Sequence, residues 1–198
     1  MFTLTTRTKV LQALLIALLS LFVLTSSFAV AQNVAAAETT GTITGTLNGE
    51  EFAWRTVLFD TPEGEQNTAS YNRISMGPFT LFDFSLQGHF EDKFSEQAIV
   101  LGFAVFNEDD LLACPCTFDE GEAMYFTTSS MFGQVYVADG TLILETVEKL
   151  NDDTYAMTGT FVGEGVFMES AGQVDEENIM EFNINFSIER VSAVDIEL

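Results

Sequence analysis

Met180-Glu181-Phe182-Asn183-Ile184-Asn185-Phe186-Ser187-Ile188-Glu189 alternates apolar and polar side chains without a break. A period of two puts every apolar side chain on one face of an extended chain, so this stretch reads as a strand with one buried face. The same period recurs upstream. Phe82, Phe84, Leu86 and Phe90 alternate with Asp83, Ser85, Gln87 and His89, and Tyr155, Met157, Gly159 and Phe161 alternate with Ala156, Thr158 and Thr160. Gln97–Phe106 differs: Ile99, Leu101, Phe103 and Val105 oppose Val100, Gly102 and Ala104. Being apolar on both faces, it reads as a central strand covered on both sides.

Turn chemistry punctuates these runs. Asn48-Gly49 and Asp139-Gly140 are dipeptides that accept positive φ, so each is expected to turn a two-residue hairpin. Asn151-Asp152-Asp153 reads as a third hairpin, and Gly77-Pro78 separates Ala69–Met76 from Phe79–Phe90. The apolar phase passes from odd positions (Phe79, Leu81) to even ones (Phe82, Phe84), which predicts a bulge near Leu81. Longer acidic loops are expected at Asp60–Thr68, Asn107–Gly121 and Glu169–Asn178. About ten short strands result, with no trustworthy helical period after residue 31. The expected fold is all-β: one antiparallel β-sandwich or barrel of about ten strands over residues 41–192, with a tail at 193–198.

The N-terminus reads differently. Arg7 and Lys9 precede an apolar run from Val10 to Leu24, and Ala29-Val30-Ala31 supplies a small-x-small cleavage site. This is the three-part pattern of a signal peptide, residues 1–31, whose apolar core is expected to be helical. Cleavage after Ala37 and retention of the segment as an anchor are the alternatives. No Cys follows the run, which argues against a lipid anchor. Residues 32–40 read as a flexible leader. The protein is therefore expected to be exported, to the periplasm or beyond, with no stable membrane span once the signal is removed.

Charge narrows the partners. Removing Arg7 and Lys9 with the signal leaves 5 basic against 30 acidic groups, a net charge of −25. Nucleic acid binding needs clustered cations and is excluded. Anionic lipid headgroups repel such a chain. It is not disordered either: 47% of the residues are hydrophobic and 19 are Phe, enough for a core without disulfide or metal support.

The chain resembles a group of uncharacterised secreted or envelope-attached bacterial β-domains. The resemblance rests on Gly41-Thr42-Ile43-Thr44-Gly45-Thr46-Leu47-Asn48-Gly49 leading to Phe52 and Trp54. It rests also on Gly140-Thr141-Leu142-Ile143-Leu144, the polar turn at Asn151, Gly159-Thr160-Phe161, and the closing strand from Met180 to Ile188. It implies an all-β fold and an exported location, and it brings no catalytic residue with it.

Cys114-Pro115-Cys116 is the most distinctive motif. An oxidising compartment favours a small structural disulfide; free or intermolecular thiols, and thiol redox or soft-metal chemistry, are the other readings. The one His, His89, falls on the polar face of its strand and is expected to be exposed. With two Cys it falls short of a zinc site. Asp109 and Asp110, Asp119 and Glu120, and Asp175 and Glu176 lie in acidic loops that could supply oxygen ligands to Ca²⁺; the competing reading is a solvated acidic surface. No nucleophile elbow or phosphate loop occurs. Asn185-Phe186-Ser187 matches a glycosylation sequon but falls inside a strand. The first expectation is an exported, non-enzymatic β-domain that binds a protein partner or small apolar ligand, or is structural in the cell envelope, with no cofactor. A thiol redox or soft-metal module at Cys114 and Cys116, and a calcium-stabilised acidic surface protein, are the alternatives.

Overall fold

The alternating stretches form strands in the computed structural model, which describes residues 37–61, 64–91, 93, 96–128, 134–169 and 173–194. In chain order these are β1 (Glu38–Leu47), β2 (Glu50–Thr61), β3 (Gly64–Asn67), β4 (Ala69–Met76), β5 (Phe79–Gly88), β6 (Ala98–Phe106), a short helix α1 (Glu108–Leu112), β7 (Cys116–Phe126), β8 (Val135–Asn151), β9 (Thr154–Met168) and β10 (Val174–Ala193). The expected signal segment, residues 1–31, lies outside the described residues, as does most of the leader. β1 starts at Glu38, so Glu38, Thr39 and Thr40, expected in the leader, belong to the sheet.

All ten strands join one sheet in the order β3-β2-β1-β10-β4-β5-β6-β7-β8-β9, and β9 pairs again with β10. The sheet thus curls into a partial ring. Every strand pair is antiparallel except β10 with β4, a two-residue contact at Ser192 and Ala193. The strands β1, β2 and β3 extend from β10, and β2 reaches back to the end of β5 through a bridge between Arg55 and His89. Of the two architectures the sequence allows, the single curled sheet is the barrel-like one.

The long strand β10 forks. One edge follows β9 from Val174 to Ser192. The other pairs with β1 from Phe182 to Ile188 and with β4 only from Ser192. Asn67 fills the gap: its Nδ2 donates to the Arg190 carbonyl at 2.8 Å and to Ser192 Oγ at 3.3 Å, while its Oδ1 accepts from the Ala69 N–H and Thr40 Oγ1, both at 3.1 Å. Beside it the Thr40 and Thr56 hydroxyls share a 2.9 Å hydrogen bond, and Thr68 Oγ1 accepts from the Val57 N–H. Polar groups freed where strand pairing changes are satisfied by side chains, as buried backbone requires.

The inward faces make one core. Ile43, Trp54, Tyr71, Phe84, Leu101, Leu142, Tyr155, Phe161, Phe182 and Ile184 are among its buried members. Aromatic rings occupy the inside of the ring at both ends. Phe52 stacks on Trp54 at 5.3 Å with Tyr125 close by, and Phe84 stacks on Phe103 at 4.7 Å with Tyr71 and Tyr155 alongside.

The structure corrects several local expectations. Asn48-Gly49 does turn a hairpin, with positive φ at both residues, and β8 turns into β9 after Asn151. Asp139-Gly140 turns nothing. β8 runs through it, with Gly140 paired to Gly121 on one side and Gly163 on the other. A Cβ there would lie 2.3 Å from the Val162 carbonyl oxygen, so this glycine serves close packing of backbones. No bulge occurs near Leu81: β4, β5 and β6 pair in unbroken register there, and Phe79 simply faces outward, 55% exposed. The outer face of β6 is covered only near its start, where Val100 is buried; Ala104 and Phe106 are exposed. Among the described residues, the three expected loops hold the β2–β3 hairpin, α1 with the start of β7, and the start of β10.

Candidate functional site

The acidic stretch after β6 carries both the Cys pair and the one described helix. Asn107, at φ 72°, turns the chain into α1, and its N–H donates to the Thr80 carbonyl at 2.9 Å. α1 packs against β6 and β8 and drives Leu111, fully buried, into the core. Glu108, at its start, accepts from Lys149 Nζ at 2.9 Å and from the Tyr155 hydroxyl. The hydrogen bonds from Lys149 and Tyr155 hold the Glu108 carboxyl below its ordinary range. Burial first, and then the bond to Glu108, push the Tyr155 hydroxyl well above its ordinary value.

A second cation sits at the same rim. Arg73 Nη2 donates to Tyr71 Oη at 3.0 Å and to the Asp152 carbonyl at 2.9 Å, and lies 3.6 Å from Asp153. Its guanidinium stands 5.8 Å from the ring centres of Tyr71 and Phe82. Two of the five cations outside the expected signal thus gather at one end, tying β4, the β8–β9 turn and α1 together. The side-chain groups at this rim are engaged with one another.

At the other end of α1, Cys114 and Cys116 form a disulfide, with Cα atoms 4.5 Å apart and a cis peptide bond before Pro115. Both cysteines are half-buried and pack against the core, and Cys116 pairs with Leu144 of β8.

The acidic candidates are placed apart in sequence and element. Asp109 and Asp110 are exposed on α1. Asp119 and Glu120 are exposed at a break in register between β7 and β8. Asp175 and Glu176 are exposed at the start of β10, where Asp175 Oδ1 accepts from the Glu177 N–H at 3.2 Å. Among the described residues no group of three or more His, Cys, Asp and Glu side chains could hold a metal ion.

His89, expected on a solvated face, is fully buried. It lies past the end of β5, where its backbone N–H and carbonyl exchange hydrogen bonds with Arg55. The alternation of β5 alone does not show this bridge to β2, and His89 is buried where the two strands meet.

One arrangement was not visible in the sequence. Glu122, Asp139, Glu164 and Glu181 are direct cross-strand partners on β7, β8, β9 and β10. All four project from the outer wall, in a row with neighbours roughly 5 Å apart. Burial, then repulsion from Asp139 and Asp83, lifts Glu122 from 4.5 to about 7. Only the strand register reveals this row, because the four residues are scattered along the chain.

Beyond that row, two cross-strand rows on these strands carry no charge. Thr42, Ser187, Thr158 and Thr146 align across β1, β10, β9 and β8, as do Thr44, Asn185, Thr160 and Ile143. No helix among the described residues is long and apolar enough to cross a membrane. Comparison with protein-family models, with curated proteins and with solved structures gives no match.

Proposed function

We propose that this chain is an exported, non-enzymatic β-domain that works through its surface, as a structural element of the envelope or by binding a macromolecular partner. The observation that carries this reading is the interior. Trp54, Tyr71, Phe84, Phe161 and Phe182 are all 2% exposed or less and take up the space that a carrier of small apolar molecules would leave open. The rim favours the same reading: Glu108, Lys149, Tyr155, Arg73 and Tyr71 bond to one another rather than converging on an open cleft. Export is supported by the signal-like N-terminus and by the disulfide, which persists in an oxidising compartment.

The test is titration of the folded, oxidised protein with a hydrophobic dye and with palmitate. No saturable binding is expected for either. Saturable binding at one site would overturn the surface reading and restore that of an apolar-ligand carrier.

A further inference from the structure

We infer that α1 is a plug on the end of the ring whose seating is controlled by the oxidation state of Cys114 and Cys116.

Three observations lead to it. The segment from Asn107 to Cys116 is attached at both ends: at the first by the Asn107 N–H on the Thr80 carbonyl and by Glu108 on Lys149 and Tyr155, at the second by Cys116, which is disulfide-bonded to Cys114 and paired with Leu144 of β8. Between them a single side chain, Leu111, enters the core, while Leu112 beside it is 40% exposed. The helix itself is five residues long and is capped by one backbone bond from the Ala113 N–H to the Asp109 carbonyl. A helix that short has little stability of its own. It keeps its place through its attachments and through Leu111.

The disulfide has little other work to do. It bridges two residues separated by one, so it removes little freedom from the unfolded chain. Its effect falls on the junction it closes, where α1 hands over to β7. Holding Cys114 against Cys116 fixes the direction in which the chain leaves α1 and so helps keep Leu111 seated. In a reducing setting, the thiolate of a dithiol attacks one sulfur and forms a mixed disulfide. Its second thiol then displaces the protein. Two electrons and two protons pass to Cys114 and Cys116, and the dithiol becomes a cyclic disulfide. The freed junction lets the C-terminal end of α1 lift about its Glu108 anchor, which bares Leu111 and the core beneath it.

Hydrogen exchange of the protein with and without dithiothreitol tests this. The α1 amides, the Ala113 N–H among them, are expected to exchange about ten-fold faster in the reduced protein, while β8 and β9 amides keep their rates. The double variant Cys114→Ser, Cys116→Ser should match the reduced protein and ignore the dithiol. Equal α1 rates in the oxidised and reduced protein would overturn the inference. So would acceleration of all amides together, since the disulfide would then support the whole fold. Dye binding that appears only after reduction would support the plug without disturbing the surface reading. Dye binding by the oxidised protein with unchanged α1 exchange would defeat both.

Discussion

Asn67 Nδ2 reaches the carbonyl oxygen of Arg190 at 2.8 Å, joining residues 123 positions apart at the point where β10 leaves β1 for β4. The amide does there what a strand neighbour does elsewhere, and its Oδ1 serves the Ala69 N–H in the same way. Replacing Asn67 by Ala strands both backbone groups. The expected loss is about 2–3 kcal/mol, seen as a lower urea midpoint with an unchanged slope. A changed slope would mean that the fork holds the ring more widely than its hydrogen bonds suggest.

Glu122 sets a stability trend with pH. Its folded pKa of about 7 lies above the ordinary 4.5, so the folded state binds the extra proton between these values. Its penalty is full above pH 7, fades as pH falls, and is gone below 4.5. Glu122→Gln should therefore stabilise the protein at pH 8 by about 1–2 kcal/mol, a figure discounted for solvent screening. The gain should vanish near pH 4. Urea titrations of both proteins at the two pH values decide it.

Glu108 has the opposite sign. Its pKa is lowered by Lys149 and Tyr155, so its contribution is present above 4.5 and is lost as pH falls through its folded value. Lys149→Met should lower the melting temperature at pH 7 and leave it almost unchanged in acid, where Glu108 is protonated. Thermal melts at the two pH values measure the difference.

Two glycines that read alike should respond differently. Gly49 stands at φ 79° with open space around it, so Gly49→Ala carries only the cost of a left-handed residue, about 1 kcal/mol. Gly140→Ala would push a Cβ into the Val162 carbonyl oxygen and the Gly163 Cα, forcing β8 from β9, and should cost about 3 kcal/mol. Equal losses would mean that β8 and β9 absorb the added methyl by a small shift.

These two positions also show how far the sequence can be read. Alternation such as Met180 to Glu189 marks strands because one buried face imposes a period of two, and that reading held. Asn-Gly and Asp-Gly carry the same local turn chemistry, but Gly140 was claimed by its neighbours across the sheet, which a single sequence does not display. His89 is buried for a related reason, since its surroundings are set by a bridge to β2, a strand distant in the chain. The Cys114–Cys116 pairing was legible because the partners are close in the chain. The row from Glu122 to Glu181 and the Glu108–Lys149–Tyr155 contact were not, because register and ring closure alone bring them together. Phe79 and Leu81 shift phase without a bulge because an outward apolar residue is tolerated on a strand.

β10, the last described strand, is the one that β1, β4 and β9 all pair with. A chain delivered N-terminus first can form hairpins such as β1–β2 and β8–β9 as it emerges. It cannot unite them until β10 arrives. Closure of the curled sheet therefore waits for β10. β10 is the stitch that draws the β1–β3 strands and the β4–β9 strands into one wall.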